Sequence, residues 1–115
     1  MRRGDVFMVD FDPAAGSEAN KVRPAVLVSN NAANKVAEQQ GRGVVTVVPV
    51  TSNTARVHPF QVLIRAGDGG LVIDSKAQAE QIRSVDVRRL RRRLGNLKED
   101  TVRSIDDALR VHLST

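Results

Sequence analysis

The stretch NKVRPAVLVSN, residues 20–30, decides how the rest of the chain folds. Ala25, Val26, Leu27 and Val28 make a short apolar run between Pro24 and the turn formers Ser29 and Asn30, the mark of a core strand. Directly before it stands Arg23, a side chain that stays charged at ordinary pH and is almost never buried without a partner. Pro24 biases Arg23 toward an extended backbone. A permanent cation at the mouth of a core strand fits two roles. It can pair with a surface carboxylate, or it can aim its planar fork at phosphate oxygens.

Working outward, DVFMVDF (5–11) alternates Val6 and Met8 against Phe7 and Val9, a strand with both faces partly covered. DPAAGSEANKVR (12–23) is rich in turn formers and is expected to be a long loop. VVTVVPV (44–50) is a second apolar, β-branched core strand. Between the two core strands, NNAANKVAEQQGRG holds helix formers between an Asn cap and a glycine stop, which predicts a short helix. PFQVLIR (59–65) alternates Phe60, Val62 and Ile64 against Gln61, Leu63 and Arg65, another strand. AGDGG is a turn, and LVIDSKAQAEQIRSV supplies one or two further strands. KEDTVRSIDDALRVHL places Val102, Ile105, Leu109 and Leu113 at helical spacing, with Glu99 and Asp100 in the first turn and Arg110 in the last, as the helix dipole favours. Five or six short strands followed by an amphipathic helix predict an α+β fold, a small and strongly bent barrel-like sheet, in one domain spanning residues 1–115.

The 115 residues carry a formal charge of +5, which favours a polyanion or an acidic protein as partner. Cysteine is absent, so thiolate chemistry and disulfides are excluded. No apolar run reaches the ~18 residues of a membrane span, and Asp5 and Asp10 spoil a signal peptide, so a cytoplasmic protein is expected. With three Phe and no Tyr or Trp, a broad base-stacking platform is not available. Two histidines, His58 and His112, stand outside any metal-ligand spacing, and no metal or other cofactor is expected.

Four segments could carry chemistry. Arg23 is the first. PVTSNTAR (49–56) sets Thr51, Ser52, Asn53 and Thr54 after a core strand, either as ordinary turn chemistry or as donors for phosphate oxygens. AQAEQIRS (77–84) offers Glu80 and Gln81, as base readers or as the polar face of a strand. RSVDVRRLRRRLG (83–95) is a basic run, a solvated face or a track for phosphates or an acidic peptide.

Taken together, RRGDVFMVDFDPAAGSEANKVRPAVLVSN, VTVVPVTSN, HPFQVLI and AQAEQIRSV resemble the MazF/PemK family of toxin endoribonucleases over nearly the whole chain. The resemblance implies a small barrel of bent antiparallel strands with a C-terminal helix, SH3-like and of the CcdB/PemK type. It implies the toxin of a type II toxin–antitoxin system, a homodimer that cuts single-stranded mRNA at short motifs without metal. It also implies attack by the 2′-hydroxyl, leaving a 2′,3′-cyclic phosphate and a 5′-hydroxyl. Arg23 occupies the family's essential arginine position and Thr51 its essential threonine, with Ser52 and Asn53 beside it. Gly16, Ser17 and Glu18 form the loop flanking the cut site, and Glu80 and Gln81 belong to an RNA-contacting segment. An acidic antitoxin of the MazE type is the implied partner. Two rivals remain at this point: a non-enzymatic gyrase-poisoning toxin on the same fold, and a plain nucleic-acid-binding module.

Overall fold

The computed structural model describes residues 1–11 and 22–115. Gly16, Ser17 and Glu18 lie outside the described residues, as does most of the expected long loop. Seven strands form: β1 (Asp5–Asp10), β2 (Val22–Leu27), β3 (Val44–Thr51), β4 (Gln61–Ile64), β5 (Ser75–Gln78), β6 (Arg83–Asp86) and β7 (Leu90–Asn96). Helix α1 (Asn31–Gln40) follows β2, and α2 (Glu99–Leu113) closes the chain. The sheet runs β4-β5-β3-β2-β1-β7, with β6 paired to β3, and every pairing is antiparallel.

Two expectations need correction. The sheet is open, because its edge strands β4 and β7 do not pair with each other. The seventh strand, β7, comes from the arginine run that was expected to be a solvated face or a track. It pairs with β1 in an interrupted register, Phe7 opposite Arg93 and Val9 opposite Leu90.

Both faces of the sheet are buried, as the β1 pattern required. Val6, Val26, Val48 and Ile64 pack with Ile105 of α2 on one side. Phe7, Val9, Leu27 and Val47 pack with Ala37 of α1 on the other. β5 and β6 are in effect one strand broken by a turn at Ala79–Gln81. Ala77 sits opposite Val50 and Arg83 opposite Val47, so three steps on β3 match six on the partner.

Helix α1 is bounded as its sequence dictates. The Asn30 side chain accepts from the Ala33 N–H at 2.8 Å, and Gly41 takes the left-handed conformation at φ 67° after the last turn. Helix α2 has no local side-chain cap. Asp68 caps it from a distant turn, accepting from the Lys98 N–H at 2.9 Å and from the Thr101 hydroxyl at 2.6 Å. Gly70 holds that turn against β7 with φ 79°, and a methyl group there would overlap the Leu94 carbonyl. Ile105 and Ala108 of α2 are buried, whereas Leu113, expected on the apolar stripe, is exposed. On β4 the alternation fails at Gln61, which is buried, while Leu63 on the same face is exposed as expected.

Candidate active site

β2 and β3 pair only through Ala25–Pro49, Val26–Val48 and Leu27–Val47. Beyond that point β2 is paired with β1 alone and β3 with β5 alone. A proline stands in each strand where they part: Pro49 opposite Ala25, and Pro24 one residue further along β2. Neither can donate a ladder hydrogen bond, so the pairing stops cleanly there. Running the register two residues on would set Arg23 opposite Thr51, on the face shared by Ala25 and Pro49. The strands splay instead, leaving an open cleft of about 340 Å³.

The cleft is lined by Val22, Arg23 and Pro24 from β2, and by Val50, Thr51 and Ser52 from the end of β3. Leu71, Val72, Ile73 and Ser75 complete it. The Arg23 side chain is exposed and makes no hydrogen bond or ion pair among the described residues. Its pairing with a surface carboxylate, one of the two roles open to it, is not observed. The Thr51 hydroxyl accepts the Asn53 N–H at 3.2 Å, which turns one lone pair inward and leaves its proton free to donate. Asn53 in turn accepts the Ala55 N–H at 3.2 Å and does not line the cleft, so it holds the turn behind Thr51.

Other expected site residues stand apart. Glu80 lies in the turn between β5 and β6, accepting from the Gln61 amide at 2.8 Å, while its second carboxylate oxygen is buried without a partner. Gln61 also accepts the His58 N–H at 3.1 Å, so Glu80 is braced from within. Gln81 beside it is exposed. Neither lines the Arg23 cleft within one chain. Arg83 rests over the Phe11 ring, 5.2 Å from its centroid. His58 stacks on Phe60 at 5.1 Å and an interplanar angle of 8°, outside the cleft. The apolar lip went unread in the sequence. Val72 is 89% exposed and Ile73 53% exposed at the rim of the cleft. Their signal was the apolar run Leu71, Val72 and Ile73 after a glycine turn, which was expected to open a strand, whereas β5 begins at Ser75. Among the described residues no three His, Asp or Glu side chains gather as a metal-binding group.

Residues 2–113 match the model of the PemK-like, MazF-like toxins of type II toxin–antitoxin systems. The chain belongs to this family. It is 58% identical over 113 residues to endoribonuclease MazF9 of Mycobacterium tuberculosis, covering 98% of this chain and 96% of that protein. Over 57 residues it is 61% identical to the probable endoribonuclease MazF1 of the same organism, half of this chain and 61% of that one. Its fold is similar to MazF in a MazE–MazF complex from Deinococcus radiodurans, at TM-score 0.78 and 29% identity over 100% of this chain and 96% of that one. It is equally similar to a mycobacterial endoribonuclease in complex with its cognate antitoxin, at TM-score 0.77 and 25% identity over 99% and 95%. The α+β architecture and C-terminal helix of this toxin are those expected of a MazF-type chain. None of its helices is long and apolar enough to cross a membrane, among the described residues.

Proposed function

We propose that this toxin is an endoribonuclease that cuts single-stranded mRNA at the Arg23–Thr51 cleft, with the substrate's own 2′-hydroxyl as nucleophile. The observation that carries this reading is an uncommitted guanidinium facing a hydroxyl whose proton is free, across a cleft open to solvent. RNA carries its nucleophile already in place. The protein has to hold the 2′-oxygen in line with the phosphorus and the leaving 5′-oxygen, and to neutralise the charge that gathers on the non-bridging oxygens. Arg23 suits the second task because its fork spans two phosphoryl oxygens and has no carboxylate partner among the described residues. The Thr51 hydroxyl donates to one of the same oxygens. Ser52 lies beside it on the lip. The new P–O bond forms from the 2′-oxygen as its proton departs, and the bond to the 5′-oxygen breaks as that oxygen takes up a proton, leaving a 2′,3′-cyclic phosphate and a 5′-hydroxyl.

Asn53 supports this centre by holding the turn behind Thr51. Glu18, Glu80 and Gln81 serve RNA contact on this reading, with Gln81 exposed to meet a base edge. The working form is a homodimer in the cytoplasm, where mRNA is found, and an acidic antitoxin of the MazE type covers the basic surface to block cutting.

The test is a chimeric oligonucleotide with a single 2′-deoxy nucleotide just 5′ of the cut, assayed in excess EDTA. It should bind and stay whole, while the all-RNA strand is cut under the same conditions. Cutting of the deoxy strand, or loss of activity in EDTA, would replace substrate attack by a water or metal mechanism.

A further inference from the structure

Val9 is paired on both sides. Arg23 of β2 lies opposite it on one edge of β1, and Leu90 of β7 lies opposite it on the other. The cleft and the start of β7 are therefore level across the sheet, two strand spacings or about 10 Å apart. At that level the chain forms a second pocket, of about 300 Å³, lined by Asp86, Arg88, Arg89 and Arg91.

The pocket is built from guanidiniums held in position. Asp86 takes the Arg88 Nε at 2.9 Å and its Nη2 at 2.8 Å, and also the Arg88 N–H at 2.8 Å. Arg91 donates to the Arg88 carbonyl at 3.0 Å and to Asp10 at 3.2 Å. Arg89 is half-buried, makes no hydrogen bond or close ion pair among the described residues, and feels Asp86 only as a nearby charge. Three arginines thus face two carboxylates, one of them Asp10 at the pocket's margin. Arginine pairs held by hydrogen bonds lose little freedom when an anion arrives. β7 is also an edge strand, and the arginines along it disfavour direct pairing with the same edge of a second copy.

We propose that the Arg88–Arg89–Arg91 pocket is a second phosphate site, which grips the RNA backbone a few nucleotides from the bond that is cut. It rests on the function proposed above. Single-stranded RNA running from the Arg23 cleft across β1 meets this pocket at a distance that extended backbone spans. The site reads charge and not sequence, so it strengthens binding without choosing the motif.

The probe is an RNA oligonucleotide made uncuttable by one 2′-deoxy nucleotide, with its affinity measured across salt concentrations for the parent, Arg89→Gln, Arg88→Gln and Arg92→Gln. Arg89 makes no hydrogen bond among the described residues and only attracts Asp86 from a distance, so Arg89→Gln should melt close to the parent. It should bind roughly threefold to tenfold more weakly and lower the slope of log affinity against log salt by about 0.7, one phosphate contact. Arg88→Gln should lose at least as much, since it also uncovers the Asp86 carboxylate. Arg92, on the same strand but outside the pocket, should leave the slope unchanged. A parent slope retained by Arg89→Gln and Arg88→Gln overturns the site. So does an equal fall with Arg92→Gln, which would mean a diffuse field, or an effect confined to binding an acidic peptide, which would mean a protein partner. Cutting of all-RNA by the parent is scored separately. Its absence would sink the proposed function and leave the binding result to judge the pocket alone.

Discussion

Arg3 and Arg23 are the same residue type put to opposite uses. Arg3 is engaged at all three nitrogens: its Nε donates to the Val28 carbonyl at 2.8 Å and its fork takes Asp106 of α2 at 2.5 and 3.3 Å. It ties the N-terminus, the end of β2 and the C-terminal helix together. Arg23, at the other end of β2, engages nothing among the described residues. A guanidinium clamped by a carbonyl and a carboxylate holds a fold, and one with no partner among the described residues is available to a substrate. The difference arises from backbone: near Arg3 the chain ends converge, while near Arg23 two prolines part the strands.

The largest effect should come from breaking the idle side of this pair. Arg23→Ala is expected to lower RNA cleavage by roughly 10³ or more, about 4 kcal/mol of transition-state stabilisation, with thermal stability unchanged. Arg23→Lys should recover little, because a point charge does not replace a fork. Wild-type cleavage rates in either variant would remove Arg23 from the mechanism. Next is Gly70→Ala at the engaged end, expected to cost roughly 3 kcal/mol by denaturant unfolding, since the new methyl overlaps the Leu94 carbonyl in a left-handed backbone. A neutral result would mean that the turn carrying Asp68 can shift without loss. Arg3→Ala should cost about 1–2 kcal/mol of stability and leave the cleavage rate per folded molecule unchanged, the mirror image of Arg23→Ala. A large fall in turnover with an unchanged melting temperature would erase the contrast.

The smallest effect concerns acid. Burial alone pushes the Asp5 carboxyl up. Hydrogen bonds from Arg93, Asn96 and the Arg2 N–H outweigh it and hold the carboxyl below its ordinary value of 3.8. A depressed carboxylate stabilises the fold above its unfolded value, and that contribution is lost as pH falls through the folded value. Melting temperature should therefore drop on acidification below about pH 4, and Asp5→Asn, less stable at pH 7, should drop less. Parallel curves for the two proteins would show that Asp5 is not a source of acid sensitivity.

Local chemistry was legible where one segment settles its own structure. Asn30 and Gly41 bound α1 through contacts within a single turn, and the β-branched runs of β2 and β3 are strands wherever they pair. Strand β7 was hidden because only Leu90 and Leu94 pack into the core, one on each side of the sheet, and the arginines between them dominate the pattern. Gln61 was placed among polar outward residues, yet it is buried because Glu80 and the His58 backbone, neither adjacent in sequence, satisfy its amide. For the site, the Arg23–Pro24 and Pro49–Thr51 pairs were visible as candidates. The distance between them was not, because it depends on where two strands stop pairing.

By itself the sequence determined the elements and the inventory: two core strands carrying prolines at their open ends, a basic surface, hydroxyls after a strand, and a terminal amphipathic helix. Those follow from side-chain period, turn chemistry and charge, which act over a few residues. The tertiary structure alone decided which arginines are satisfied. Arg3 meets Asp106 and Arg93 meets Asp5 across gaps of many residues in sequence, while Arg23 meets no partner among the described residues. Pairing of charges is a matter of distance in space, and the order of strands in the sheet, which no local pattern encodes, sets that distance.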